Sequence, residues 1–293
     1  MFGKISNLSK EHRNSVFALI LIAGVGCFLG DLFLSSSVPN FLITPFALRA
    51  IWTSLLTGGI VAIFTSLFID KRLERFQVGE LRPDEISPEL TKLVSASDLW
   101  VNNAFLGRWM RSVVLPELSA RGGAVTTTLI DPRNDDICSA YGRYRASRKE
   151  LPDGVGQQNF EKIEVLATIA LCSWYASNTH LNIVVYLSGL FNNFRIDGNQ
   201  TAFVVTQAGK RNRAYKITKE NGLFDYFSEH IKAVYAQSVK LQLPLVRKCA
   251  ISELSEDDLI GIYKNSGLLD VANEVGISVI LIAVKKSTNP YPL

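Results

Sequence analysis

Between Ala50 and Ile69 the chain runs twenty residues without a charged side chain. An α-helix needs about 20 mostly apolar residues to cross the hydrocarbon of a bilayer. A second uncharged stretch, Ser15 to Gly30, precedes it and carries on past Asp31 through Leu32-Phe33-Leu34. Together they predict a two-helix transmembrane hairpin over 15–70. A cleaved signal peptide fits only the first stretch: Lys4, Lys10 and Arg13 supply its basic start, but cleavage would leave the second stretch alone.

Lys and Arg set the orientation of such a hairpin. Lys4, Lys10 and Arg13 precede it, Lys71, Arg72, Arg75 and Arg82 follow it, and the loop from Asp31 to Arg49 holds only Arg49. Both termini are therefore expected in the cytoplasm. The division is a basic tail over 1–14, the hairpin over 15–70, a linker over 71–89 and a cytoplasmic α/β sensor or regulatory domain over 90–293.

Small residues punctuate both spans at helical spacing: Gly26 with Gly30, and Gly58 with Ala62. In lipid such pairs let helices approach closely. They serve either self-association of several hairpins or packing of the two helices within one. No Asp, Glu, Lys or His lies at mid-span, which argues against a transporter or proton relay.

The net charge of +4 is mild, suits an anionic lipid surface and does not demand nucleic acid. Cys27, Cys138, Cys172 and Cys249 are too scattered for a Cys-x-x-Cys metal site or a disulfide framework. No P-loop and no Gly-x-Ser-x-Gly elbow is present.

The polar remainder alternates helices and strands. Asp98 to Leu118 reads as a helix, with Trp100, Phe105, Trp109 and Val113 on one face and Arg108 and Arg111 off it. Ala124 to Ile130 is a strand, Phe160 to Ser177 a helix and Leu181 to Leu187 a strand. Phe194 to Thr206 makes a hairpin around Asp197-Gly198. Ala214 to Thr218 adds a strand and Leu223 to Val239 a helix. Ser255 to Val275 is helical and leads into a strand from Ile277 to Val284. Leu115 to Ile130 and Leu268 to Val284 then share one order: helix, glycine, buried strand.

That repeated unit, with the hairpin at Asp197-Gly198, resembles the phospholipase D-like fold over about residues 98–284. The resemblance implies a mixed sheet flanked by helices. It also implies a catalytic His-x-Lys at the hairpin, where this chain has Asn192, Asn193, Phe194 and Arg195. Its single His-x-Lys, His230-Ile231-Lys232, falls in an expected helix. The fold class expected is thus a phospholipase D-like α/β domain behind a transmembrane hairpin, without catalysis.

Arg143, Tyr144, Arg145 and Arg148 interleave charge and aromatic rings. They offer a surface for nucleic acid or a protein partner, or else a solvated basic helix. Asp131, Asp135 and Asp136 read as a solvated turn rather than a Mg²⁺ site. No metal, cofactor or catalytic residue is expected. The whole arrangement is similar to the two-transmembrane effectors of bacterial anti-phage systems, above all the retron membrane effector. That likeness implies an inner-membrane toxin restrained by a reverse transcriptase and its RNA–DNA product, homo-oligomeric when active. The other reading is an anchored enzyme acting on phospholipid or nucleic-acid phosphodiesters.

Overall fold

Eight strands join in one mixed sheet across residues 78–147, 159–190, 194–207 and 212–286, the residues described by the computed structural model. Three of them run parallel at its centre. These are β2 (Leu99–Asn103), β3 (Gly123–Ile130) and β4 (Leu181–Ser188). Val, Thr and Ile dominate β3 and β4, as suits a pleated surface covered on both faces. An antiparallel run extends the sheet beyond β2 through β5 (Phe194–Gly198), β6 (Ala202–Gln207), β7 (Ala214–Thr218) and β1 (Gly79–Leu81). The short β8 (Val239–Leu241) closes the other edge against β4.

Alternation along β6 divides the core. Val204 joins the large cluster on one face, while Phe203 and Val205 turn to a smaller one on the other. The large cluster is roofed by α1 (Pro83–Ser95), α2 (Leu115–Ser119) and α4 (Phe160–Asn178). From Val165 to Cys172 every residue of α4 is buried. A helix apolar on all sides needs a second cover. Here it comes from α6 (Glu256–Ser266), α7 (Leu269–Val275) and α8 (Ile277–Lys285). The opposite face of the sheet is covered by α5 (Gly222–Ala236), through Phe224 and Ile231. The helix α3 (Asp135–Ala146) starts at Asn134, whose side chain accepts from the Ile137 N–H as an N-cap.

Two elements differ from the sequence expectation. Leu99 to Asn103 is a strand, not the start of a helix, because it is paired on both sides, with β3 and with β5. The helix begins only at Arg108. Ile277 to Val284 is a helix, not a strand. A short apolar run does not choose between the two by pattern alone. Here Ile280 and Val284, four apart, are buried while Val279 and Ile282 face outward, and Gly276 (φ +97°) turns the chain between α7 and α8.

The expected fold class is corrected accordingly. The second helix-glycine-strand unit of the phospholipase D-like resemblance is helix-glycine-helix. What stands is a mixed α/β domain on one eight-stranded sheet. Among the described residues no helix is long and apolar enough to cross a membrane. The spans expected over 15–70, with Gly26, Gly30, Gly58 and Ala62, lie outside the described residues. The stretch read as a linker up to residue 89 carries β1 and the first half of α1.

Candidate functional site at the carboxyl end of the parallel strands

In open α/β sheets ligands meet the crevice beyond the carboxyl ends of the parallel strands, where the strand order switches. In this sheet the switch falls between β2, whose parallel partner is β3, and β5, which runs the other way. The register puts Asp197, Asn102 and Thr127 side by side across β5, β2 and β3. Their side chains form one hydrogen-bonded row. The Thr127 hydroxyl donates to Asn102 Oδ1 at 2.9 Å, and Asn102 Nδ2 donates to Asp197 Oδ1. All three residues have no exposed surface. Two residues before Asp197, on the same face, Arg195 donates from Nε to the second carboxylate oxygen. Its guanidinium lies 5.9 Å from the centre of the Trp109 ring.

Trp109 leads to a second set. After β2 the chain turns sharply through Phe105 (φ +50°) and Gly107 (φ +68°) to start the helix at Arg108. A non-glycine residue in that conformation is strained. The turn is clamped by the Thr168 hydroxyl, which donates to the Leu106 carbonyl at 2.7 Å. A π-helical turn, Met110–Val114, follows before the helix resumes as α2. The extra residue in that turn rotates Arg111 to the inside. Arg111 therefore departs from the expectation that it lies off the buried face; only 4% of its side chain is exposed. Its Nη2 donates to Glu164 of α4 and its Nη1 to the Glu164 backbone carbonyl at 2.9 Å. Arg108 reaches the same carboxylate from Nε at 3.2 Å. Burial pushes the Arg111 guanidinium below its ordinary pKa, against the pull of Glu164.

One turn back along α4, Arg145 of α3 pairs with Glu161 at 3.2 Å and stacks on the Phe160 ring at 4.4 Å. Arg108 approaches that ring at 5.8 Å. Beside them Lys162 bridges Asp135 at 2.7 Å and Glu274 at 2.8 Å. The desolvated pairs, Arg111 with Glu164 and Arg145 with Glu161, hold their elements in fixed register, because leaving either partner alone would be costly.

The residues singled out from sequence are placed differently. Arg143 is exposed and Tyr144 half-buried, its ring 6.3 Å from that of Tyr141. Arg145 is buried at the Glu161 contact, and Arg148 lies outside the described residues. Asp131 binds Arg133 with both oxygens, closing its own turn. Asp135 turns instead to Lys162. Among the described residues no three His, Cys, Asp or Glu side chains are grouped to hold a metal ion. Burial raises both the Cys138 and the Cys172 thiols to about 12, so neither is a ready nucleophile. His230 sits on α5, and Lys232 beside it pairs with Glu229 at 2.8 Å.

Asn102, Thr127, Arg111, Glu164 and Thr168 were not legible as site residues. One signal did exist. Glu164 lies between Ile163 and Val165, at the start of the stretch of α4 that is buried throughout, and a carboxylate there requires a buried cation. Compared with protein families, with characterised proteins and with solved structures, the chain gives no match.

Proposed function

We propose that this chain is the toxic effector of an anti-phage defence system. It acts on the inner membrane through its apolar N-terminal segment. Its α/β domain is the part by which a reverse transcriptase and its RNA–DNA product hold it inactive. One observation carries the reading of the domain as regulatory. Where an α/β enzyme would present reactive groups, Asp197, Glu164 and Glu161 are each taken up by arginines of the same chain. Groups so buried and engaged are poorly placed for proton transfer or nucleophilic attack, and they brace the strand ends as a fixed shape instead. The uncharged stretch at 50–69 supports the membrane as target.

The test is induction of the full chain in bacteria, with membrane potential followed by a dye, with and without the co-expressed partner complex. Rapid depolarisation that the partner suppresses is expected. Normal potential and growth without the partner would sink the proposal. A second reading, an anchored enzyme acting on phosphodiesters, draws on Arg195 and Arg108 beside the strand ends, since guanidinium groups suit phosphate oxygens. It requires that Arg195→Ala abolish cleavage of a nucleic-acid or phospholipid substrate. The effector reading expects no such cleavage from the unaltered chain.

A further inference from the structure

The sheet face under α5 carries apolar surface that the domain itself leaves uncovered. Tyr226 of α5 is 67% exposed, its ring edge-on to the half-buried Phe227 at 5.6 Å, and Leu223, one turn earlier, is exposed as well. Tyr215 of β7, two residues before the buried Ile217 and on the same face, is 49% exposed. The chain enters the domain on this face: Val78, just ahead of β1, packs against the same cluster as Phe224 and Phe227. Two ion pairs flank it, Arg213 with Glu80 at 2.7 Å and Lys232 with Glu229 at 2.8 Å, and Lys219, Glu220 and Asp225 add both signs. The face therefore offers aromatic and aliphatic surface with phenolic hydroxyls, not a field of one sign.

We infer that this face rests on the interface of a phospholipid bilayer. The inference depends on the proposed action at the membrane through the apolar N-terminal segment. The length of the tether then selects lipid as the occupant. The uncharged stretch ends at Ile69, and eight residues separate it from Val78. At full extension that much chain reaches about 30 Å. A domain of this size is about 45 Å across. With Ile69 at the edge of the hydrocarbon, the domain cannot swing Val78 to its far side, so the surface beside Val78 stays toward the bilayer. Lys71, Arg72 and Arg75 in the tether draw it to anionic headgroups. Tyrosine suits that depth, because its ring enters the apolar boundary while its hydroxyl stays in water. Leu223 and Tyr226 face outward from α5 while Phe224 and Ile231 hold it to the sheet, so the helix lies along the interface without leaving the domain.

The test is tryptophan quenching on the full chain, reconstituted in vesicles of phosphatidylcholine and phosphatidylglycerol with plain or brominated acyl chains. Two substitutions at exposed positions each add one indole: Tyr226→Trp on this face, and Ile282→Trp on α8, which lies across the sheet and is 54% exposed there. Flotation of the vesicles first reports whether the chain is anchored. Bromine is expected to quench roughly half of the emission that Tyr226→Trp adds, and none of what Ile282→Trp adds. No quenching at position 226, or equal quenching at both positions, in a chain that floats overturns the inference and leaves the membrane reading standing. Added emission at 226 that neither bromine nor aqueous acrylamide reaches means that protein covers the face, and overturns it too. A chain that does not float with the vesicles overturns both.

Discussion

Glu164→Ala tests whether the arginine pair is a structural keystone. The Glu164 carboxylate receives Nη2 of Arg111 and Nε of Arg108, and the Arg111 side chain is 4% exposed. Removing the carboxylate leaves the Arg111 guanidinium without its countercharge in a place water does not reach. Arg108, 19% exposed, can turn its head group outward. Stripping one partner from a buried ion pair costs about 3–5 kcal/mol. The hydrogen bonds from Arg111 to the Glu164 carbonyl and to Thr168 survive, which points to the lower half of that range. A domain stability of about 5–15 kcal/mol makes this a large fraction of the whole. At a urea dependence of about 2 kcal/mol per molar, the midpoint falls by about 1.5–2 M. The assay is urea unfolding of the full chain followed by tryptophan emission, for which the buried Trp100 and Trp109, 5.8 Å apart, report on this region. Arg111→Met with Glu164→Leu should recover most of the loss, since well-packed apolar groups often replace a buried pair without cost. A midpoint unchanged in Glu164→Ala, or a double variant as weak as the single one, would refute the reasoning.

Two more outcomes follow from the geometry. Arg247 grips the Asp258 carboxylate at 2.8 and 2.9 Å and holds its pKa down to about 2. Its stabilising contribution is therefore complete above the ordinary carboxylate range and disappears as the pH falls through about 2. Unfolding midpoints measured from pH 5 to pH 2 should drop less steeply for Asp258→Asn than for the unaltered chain; parallel curves would count against the pair. Gly107→Ala places a Cβ 2.6 Å from Thr168 Cγ2 at a backbone φ of +68°. Left-handed strain and overpacking together cost about 2–4 kcal/mol, read as a lowered urea midpoint, and a variant as stable as the parent would show that the clamp at Leu106 is loose.

The amino-acid sequence by itself determined the elements whose signals are local. The β-branched runs of β3 and β4 needed no partner to be read, and the hairpin of β5 and β6 was legible too, although it turns at Asn199 to Thr201 and keeps Asp197-Gly198 inside β5. The same holds for the apolar length of α4 and for the start of α6, where Ser255 and Asp258 form a capping box. The uncharged stretch at 50–69 is likewise a property of the sequence alone.

Tertiary structure decided the rest, because it supplied partners from afar. Leu99 to Asn103, with two asparagines, is a strand only since β3 and β5 flank it and Thr127 and Asp197 satisfy Asn102. Ile277 to Val284 is a helix because α4 and α6 offer it a one-sided surface. Arg111 is a core residue because a π-helical turn shifts its phase and Glu164, 53 residues later, meets it. Periodicity records which face of an element is apolar. It does not record which distant group will neutralise a charge, and that pairing built the candidate site.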